Sequence, residues 1–291
     1  MNRIFILFVL VVFTSCSALY RTLKFAPSNA LKEVSFEEKN INPTYQFYYP
    51  DTTQNEYLRQ LRVNYGLEKL AAKHQDEFEK IRALLNWTHQ QWKHSGSNTP
   101  SKFDAITILE EAKKGNKFRC VEYGIVSAAA LNSIGIPARV LALKTADVEQ
   151  VRYGAGHVVA EAYSQKFGKW LFLDGQYNAI PVLGNQPLNA VEFQKAITEN
   201  REQLTLINHQ GAVSIEEKEQ YINWISKYLY YFDTSFDNRN MPYKDRVKVG
   251  DKSKLMLVPL NAQNPSIFQK KGKIDYCVYS NNVNDFYQLP E

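Results

Sequence analysis

Apolar positions recur at three- and four-residue steps between Gln75 and Ser95, where Phe78, Ile81, Leu85 and Trp92 share one face of an amphipathic helix. A looser version of the same period over residues 55–73 predicts a helix there too, and "SGSNTP" after Ser95 is a stop. A short helix fits "DAITILEEAKKG", closed by Gly115, and a run of small apolar residues from Cys120 to Ile134 predicts the next. Gly135 ends it and Pro137 forbids its continuation. From there the pattern changes to strand-like runs, "ARVLALK", "HVVAEAYS" and "KWLFLDGQ", with "KFGK" supplying a hairpin turn between the last two. Helices followed by neighbouring antiparallel strands define an α+β class.

Further along, "LNAVEFQKAI" predicts a helix, and a second is expected over 214–232, opened by a capping box of Ser214 and Glu217. Strand-like runs "KLMLVPL" and "KIDYCVYS" follow Lys252 and are expected to form a small β appendage; Cys277 in the second reads as a buried strand residue. Before Pro50 only "TYQFYY" suggests a short strand. The expected organisation is a signal peptide at 1–15, a tether and N-terminal arm at 16–50, a core at 51–200 and a C-terminal extension at 201–291. No internal repeat or low-complexity tract interrupts it.

The N-terminal stretch "MNRIFILFVLVVFTSC" changes the picture. One basic residue, Arg3, precedes an apolar run that is too short and too abruptly ended for a comfortable membrane-spanning helix, which is the pattern of a secretory signal. Its end, "FTSC", resembles a bacterial lipobox, so Cys16 is the expected lipid attachment site and the protein an exported lipoprotein, membrane-anchored and facing the periplasm. The alternative is an ordinary signal peptide and a cell-surface or secreted product.

With 291 residues, 44% of them hydrophobic, the chain can bury a sizeable core. Its net charge of +5 is spread along the sequence without any nucleic-acid motif, so no nucleic-acid partner is expected. Beyond Cys16 only Cys120 and Cys277 remain, which is no disulfide scaffold. His89 and His94 lack the spacing of a zinc helix and no acidic calcium loop is present, so neither metal nor cofactor is expected.

Cys120 carries the candidate chemistry. It heads a helix, where unpaired N–H groups and the helix dipole favour a thiolate. A thiolate that attacks an acyl carbon also needs a base and a group to orient that base. His157 opens a strand behind the flexible "RYGAG", and Asp174 ends the next strand. If those strands pair as a hairpin, Asp174 reaches the ring of His157 and fixes its tautomer.

A cysteine heading a helix that ends in "GIPAR", a histidine with Glu161 four residues on, and Trp170 four residues before an aspartate together resemble the bacterial transglutaminase-like superfamily. The resemblance covers about Gln75 to Leu188 and implies a papain-like core of helices packed on an antiparallel sheet, plus the C-terminal helical and β extension. By that resemblance Cys120 is the nucleophile, His157 the general base and acid, and Asp174 the orienting carboxylate. The implied reaction is acyl transfer from an amide through a thioester, with the backbone N–H of Cys120 and an upstream donor as oxyanion hole. The chain departs from the family where Phe118 replaces a glycine, where Gly124 stands near a common alanine, where "HVVAE" lacks a tryptophan, and where "DG" replaces "DP". Phe118 is expected beside the sulfur; with Tyr123, Trp170 and Tyr177 it is a candidate for pocket wall or core, while Glu161 is expected to be a structural partner.

The reading that results is a cell-envelope cysteine hydrolase or acyl transferase acting on peptide or side-chain amide bonds of a protein or peptide substrate. Hydrolysis is favoured, because a cross-linking enzyme must shield its thioester from water. The alternative is a non-catalytic envelope module that binds a partner through the same groove or the basic C-terminal region.

Overall fold

The computed structural model describes residues 33–290, so the signal segment and Cys16 lie outside the described residues. Three of the early helices begin on a polar side-chain cap. Asn55 accepts from the N–H of Leu58 at the start of α1 (Glu56–Asn64), and Asp76 accepts from Phe78 and Glu79 at the start of α3 (Glu77–His89). The single helix expected over 55–73 is two, because Gly66 turns left-handed at φ 63° and restarts the chain as α2 (Leu67–Ala71). Asp104 caps α4 (Ala105–Lys113). The fifth helix, α5 (Cys120–Ser133), is tied at its start by Glu122, whose carboxylate accepts the backbone N–H of Arg119 at 3.0 Å and pairs with the Arg119 guanidinium.

Three strands follow as an antiparallel meander: β1 (Ala138–Lys144), β2 (Gly156–Ser164) and β3 (Lys169–Leu173). Gly168 at φ 65° completes the turn that joins the last two. After them come β4 (Ile180–Leu183), β5 (Gln186–Pro187), α6 (Ala190–Glu199), β6 (Leu204–Asn208), β7 (Gly211–Ala212) and α7 (Ile215–Ile225). The chain ends with β8 (Tyr231–Ser235), β9 (Lys254–Leu257), the small hairpin β10 (Ile267–Phe268) and β11 (Gly272–Lys273), then β12 (Cys277–Ser280) and α8 (Val283–Phe286).

Two expectations are corrected here. The helix over 214–232 stops at Ile225 with one further 3-10 turn, and Tyr231–Ser235 is a strand instead. The late strands form no appendage: they extend the main sheet, whose order is β12-β9-β8-β1-β2-β3. Tyr231–Ser235 is wedged between β1 and β9 and pairs with both, so ladder bonds on two sides override the apolar spacing that reads as helix. "TYQFYY" contributes one bridge, Tyr48 with Asp237. A second sheet, β5-β4-β6-β7, was not anticipated.

Alternation along the strands gives each face of the main sheet its own core. Ala160 and Leu171 join Leu85, Ile108 and Leu131 of the N-terminal helices, while Val159 and Phe172 join Phe193, Ile222, Phe232 and Leu257. Arg139 of "GIPAR" stands opposite Glu161 across the β1–β2 ladder. Both are fully buried and joined at 2.8 Å, with the guanidinium over Trp170 at 4.3 Å and Phe286 at 4.7 Å. Glu161 is thus a structural partner that ties the central strands to the C-terminus, since it also accepts from the hydroxyl of Tyr287.

Candidate active site

Cys120 occupies the first position of α5, half-buried, where backbone N–H groups have no intrahelical acceptor. His157 lies one residue into β2 and Asp174 immediately follows β3, so the β2–β3 pairing delivers both to one end of the sheet. Their side chains meet at 2.8 Å, His157 Nε2 to Asp174 Oδ2, with only 2% of the histidine exposed. That contact leaves Nδ1 as the ring nitrogen available to Cys120, which lines the same cavity.

The aspartate is held from four directions. Oδ2 also accepts from the hydroxyl of Tyr221 at 2.8 Å, and Oδ1 accepts from the backbone N–H groups of Gln176 at 2.9 Å and Tyr177 at 3.1 Å. A buried carboxylate with four donors neither drifts nor lacks compensation. Burial by itself would push His157 below its ordinary value. The charge and hydrogen bond of Asp174, with a further contribution from Cys120, outweigh burial and raise it to about 9. The imidazolium is therefore the resting form at neutral pH.

A cavity of about 690 Å³ opens over this group. Its aromatic wall is Tyr177, Trp224 and Tyr228; the Trp224 ring meets the His157 ring edge-on at 4.8 Å. His94 reaches the cavity from the loop after α3, and burial followed by the His157 charge lowers its pKa. Lys144 and Lys254 also line it.

The structure brings together Cys120, His157 and Asp174, with Tyr177 at the cavity wall. Phe118, Tyr123 and Trp170 take the core reading and not the pocket one. Phe118 is fully buried, edge-on to Trp92 at 5.7 Å, so it does not stand beside the sulfur as expected. Tyr123 packs on Trp92 at 4.4 Å and donates its hydroxyl to the Trp92 carbonyl. Trp170 lies under Arg139 and donates its indole N–H to the carbonyl of Gln288. Cys277 is buried in β12, and burial pushes its thiol up to about 11. Among the described residues no cluster of three or more His, Cys, Asp or Glu side chains is arranged to hold a metal.

Sequence reasoning missed Tyr221, Trp224 and Tyr228. Their i, i+3, i+7 spacing marks an aromatic stripe on one helix face, a signal that was present, but nothing local says which element it covers.

A cysteine at a helix start, facing a histidine and a buried aspartate on neighbouring antiparallel strands, has the layout of a papain-like cysteine site. Residues 67–175, a little over a third of the chain, match the family model of the transglutaminase-like superfamily. No curated protein matches the chain. Among solved structures, a candidate cysteine protease from Cytophaga hutchinsonii is similar at 15% identity, over 58% of this chain and 57% of its own, with a TM-score of 0.34. Red sea bream transglutaminase is similar at 12% identity over 65% and 40%, with a TM-score of 0.35. The periplasmic domain of TgpA from Pseudomonas aeruginosa is similar at 20% identity over 46% and 47%, with a TM-score of 0.30. The chain thus spans about half the length of these structures, and the case for chemistry rests on its own geometry.

Proposed function

We propose that the chain is a cysteine hydrolase or acyl transferase that cleaves peptide or side-chain amide bonds through Cys120, His157 and Asp174. The observation that carries this is the buried His157–Asp174 contact at 2.8 Å, in the same cavity as Cys120 at a helix start. An imidazolium beside a sulfur at a helix N-terminus favours the thiolate form of the pair.

In the reaction, the Cys120 thiolate attacks the amide carbonyl and forms the S–C bond, while the oxyanion takes the unpaired backbone N–H of Cys120. His157 gives its Nδ1 proton to the leaving nitrogen as the C–N bond breaks, and a thioester remains. Water or an amine then attacks; His157 removes its proton, and the thiolate leaves. Asp174 keeps the ring oriented and balances its charge throughout. Cys120 is only partly buried and lines the cavity, which supports water access to the thioester and so favours hydrolysis over transfer to an amine.

The N-terminal pattern supports a cell-envelope location with Cys16 as lipid anchor. Cys16→Ser is expected to lose a metabolic fatty-acid label and leave the membrane fraction; a variant that keeps the label overturns the anchor. For the chemistry, the test is to trap the acyl-enzyme from an envelope extract and weigh the adduct by mass spectrometry. An adduct on Cys120 that Cys120→Ala abolishes is expected, and one that survives in that variant overturns the proposal.

A further inference from the structure

The cavity lining also carries cations, Lys144 and Lys254 from the sheet and Arg246 from the segment between β8 and β9. Asp233 on β8 is fully buried and serves two lysines at once: Lys144 of β1 on Oδ2, and Lys254 of β9 on Oδ1 at 2.7 Å. Burial and then the Lys254 charge lower Lys144 to about 7, so the carboxylate is matched chiefly by Lys254, and the charge left over comes from Arg246. Arg246, which donates to the carbonyl of Met241, is close enough for its charge to act on Lys254. Two other carboxylates line the cleft, Asp237, which is matched by Arg239, and Asp104, which caps α4. Burial, with a smaller contribution from the Arg246 charge, holds Lys254 below the usual lysine range against an opposing contribution from Cys277. A purely structural pair would need one lysine, and an extra cation held partly out of water has an uncompensated desolvation cost.

Position gives this excess a use. The cavity over Cys120 and a second hollow of about 430 Å³ share Val121, Ala142, Val158 and Lys254 as lining, so they form one cleft. Lys254 stands where the two halves meet, with about a third of its side chain exposed, and Arg246 lines the far half. Val121 is the residue after the cysteine and Val158 the residue after the histidine, so a chain leaving the sulfur along the cleft passes over small apolar side chains and arrives at the cations.

We propose that Lys254 and Arg246 form a carboxylate-binding subsite, and that the acyl substrate of Cys120 carries an acidic group close to the amide under attack. This rests on the proposed role of Cys120 and names the substrate class for it. Lys144 is a positioning residue, holding Asp233 so that Lys254 keeps its direction.

The test is alkylation of Cys120 in the full chain by iodoacetate, which carries a carboxylate, and by neutral iodoacetamide, followed by mass spectrometry. In each reaction the thiolate displaces iodide and a C–S bond forms. The iodoacetate-to-iodoacetamide rate ratio is expected to fall at least about threefold in Lys254→Gln and in Arg246→Gln, the effect of removing one charge at short range. It is expected to hold in Lys254→Arg and to shrink with added salt. An unchanged ratio in both neutral variants overturns the subsite; Arg246→Gln lies outside the sheet and tests the idea even if the strand variant does not fold. Labelling of Cys120 by iodoacetamide no faster than of Cys277 instead overturns the catalytic reading beneath it. Protection of Cys120 by acetyl-Ala-Glu-Ala-amide against protection by acetyl-Ala-Ala-Ala with a free carboxylate tells a side-chain acid from a chain terminus. Protection by both no better than by acetyl-Ala-Ala-Ala-amide overturns the proposal.

Discussion

Asp174→Asn is the substitution that most directly probes the charge arrangement at the site. In the folded protein His157 sits at about 9 against an ordinary value of 6.5, because Asp174 outweighs a burial effect of opposite sign. A histidine raised in this way contributes stability that is fully present below 6.5 and is lost as pH rises through about 9. The gap corresponds to about 3 kcal/mol. Asparagine at 174 keeps the shape and removes the charge, so burial then dominates and His157 falls below 6.5 in the folded state. Its contribution changes sign and is lost as pH falls. Urea unfolding of both proteins between pH 5.5 and 9.5 measures this, since titrating groups remote from the site cancel in the difference. The stability gap between wild type and variant is expected to be larger at pH 5.5 than at pH 9.5 by about 3 kcal/mol or more. At pH 7 the loss of the imidazolium and its orientation should also slow acylation of Cys120 by about 10²–10⁴-fold. A stability gap that stays constant across this range would refute the argument, because it would mean that Asp174 does not set the charge of His157.

Three further outcomes follow from the packing. At pH 8 iodoacetamide should modify Cys120 at least about tenfold faster than Cys277, whose thiol burial raises to about 11; peptide mass mapping over time checks this, and equal rates count against it. Glu161→Ala should destabilise the fold by about 3–5 kcal/mol, because it strands the fully buried Arg139, and denaturant midpoints will show it. Gly124→Ala should lower the melting temperature although alanine is the better helix former by about 1 kcal/mol, because its Cβ would lie 2.9 Å from both Val158 Cγ1 and the Val159 carbonyl oxygen; a higher melting temperature would contradict that contact.

What could be read from the sequence was local. The 75–95 period located α3 and the strand-like runs located β1, β2 and β3, because a half-buried element repeats its apolar positions at its own period. The hairpin between the last two strands was enough to bring His157 and Asp174 together. Partners from far along the chain were not readable. The Tyr221 hydroxyl that fixes Asp174 is 47 residues downstream, and no local pattern announces it. Tyr231–Ser235 continues the apolar spacing of the helix before it, and only the strands on either side make it β8. Phe118 was expected near the sulfur from its closeness in sequence, but the backbone before α5 turns its ring inward onto Trp92.

The departures from the family pattern become intelligible along one face of α5. Cys120, Gly124 and Ser127 fall at i, i+4 and i+7, so they line up on the side that meets the strands. Without a Cβ at 124 the helix can approach β2 at Val158 and Val159, the two residues that follow His157. One turn on, a Cβ at position 175 would lie 2.7 Å from Ser127 Oγ and 3.3 Å from the Tyr123 Cβ, so the glycine in "DG" lets the segment after Asp174 settle against the same helix. Each glycine therefore draws the helix toward the element that carries another member of the site. Replacing either would widen the distance between the sulfur and the His157–Asp174 pair before altering any reactive group, which is why an alanine at 124 or a proline at 175 fits this chain poorly.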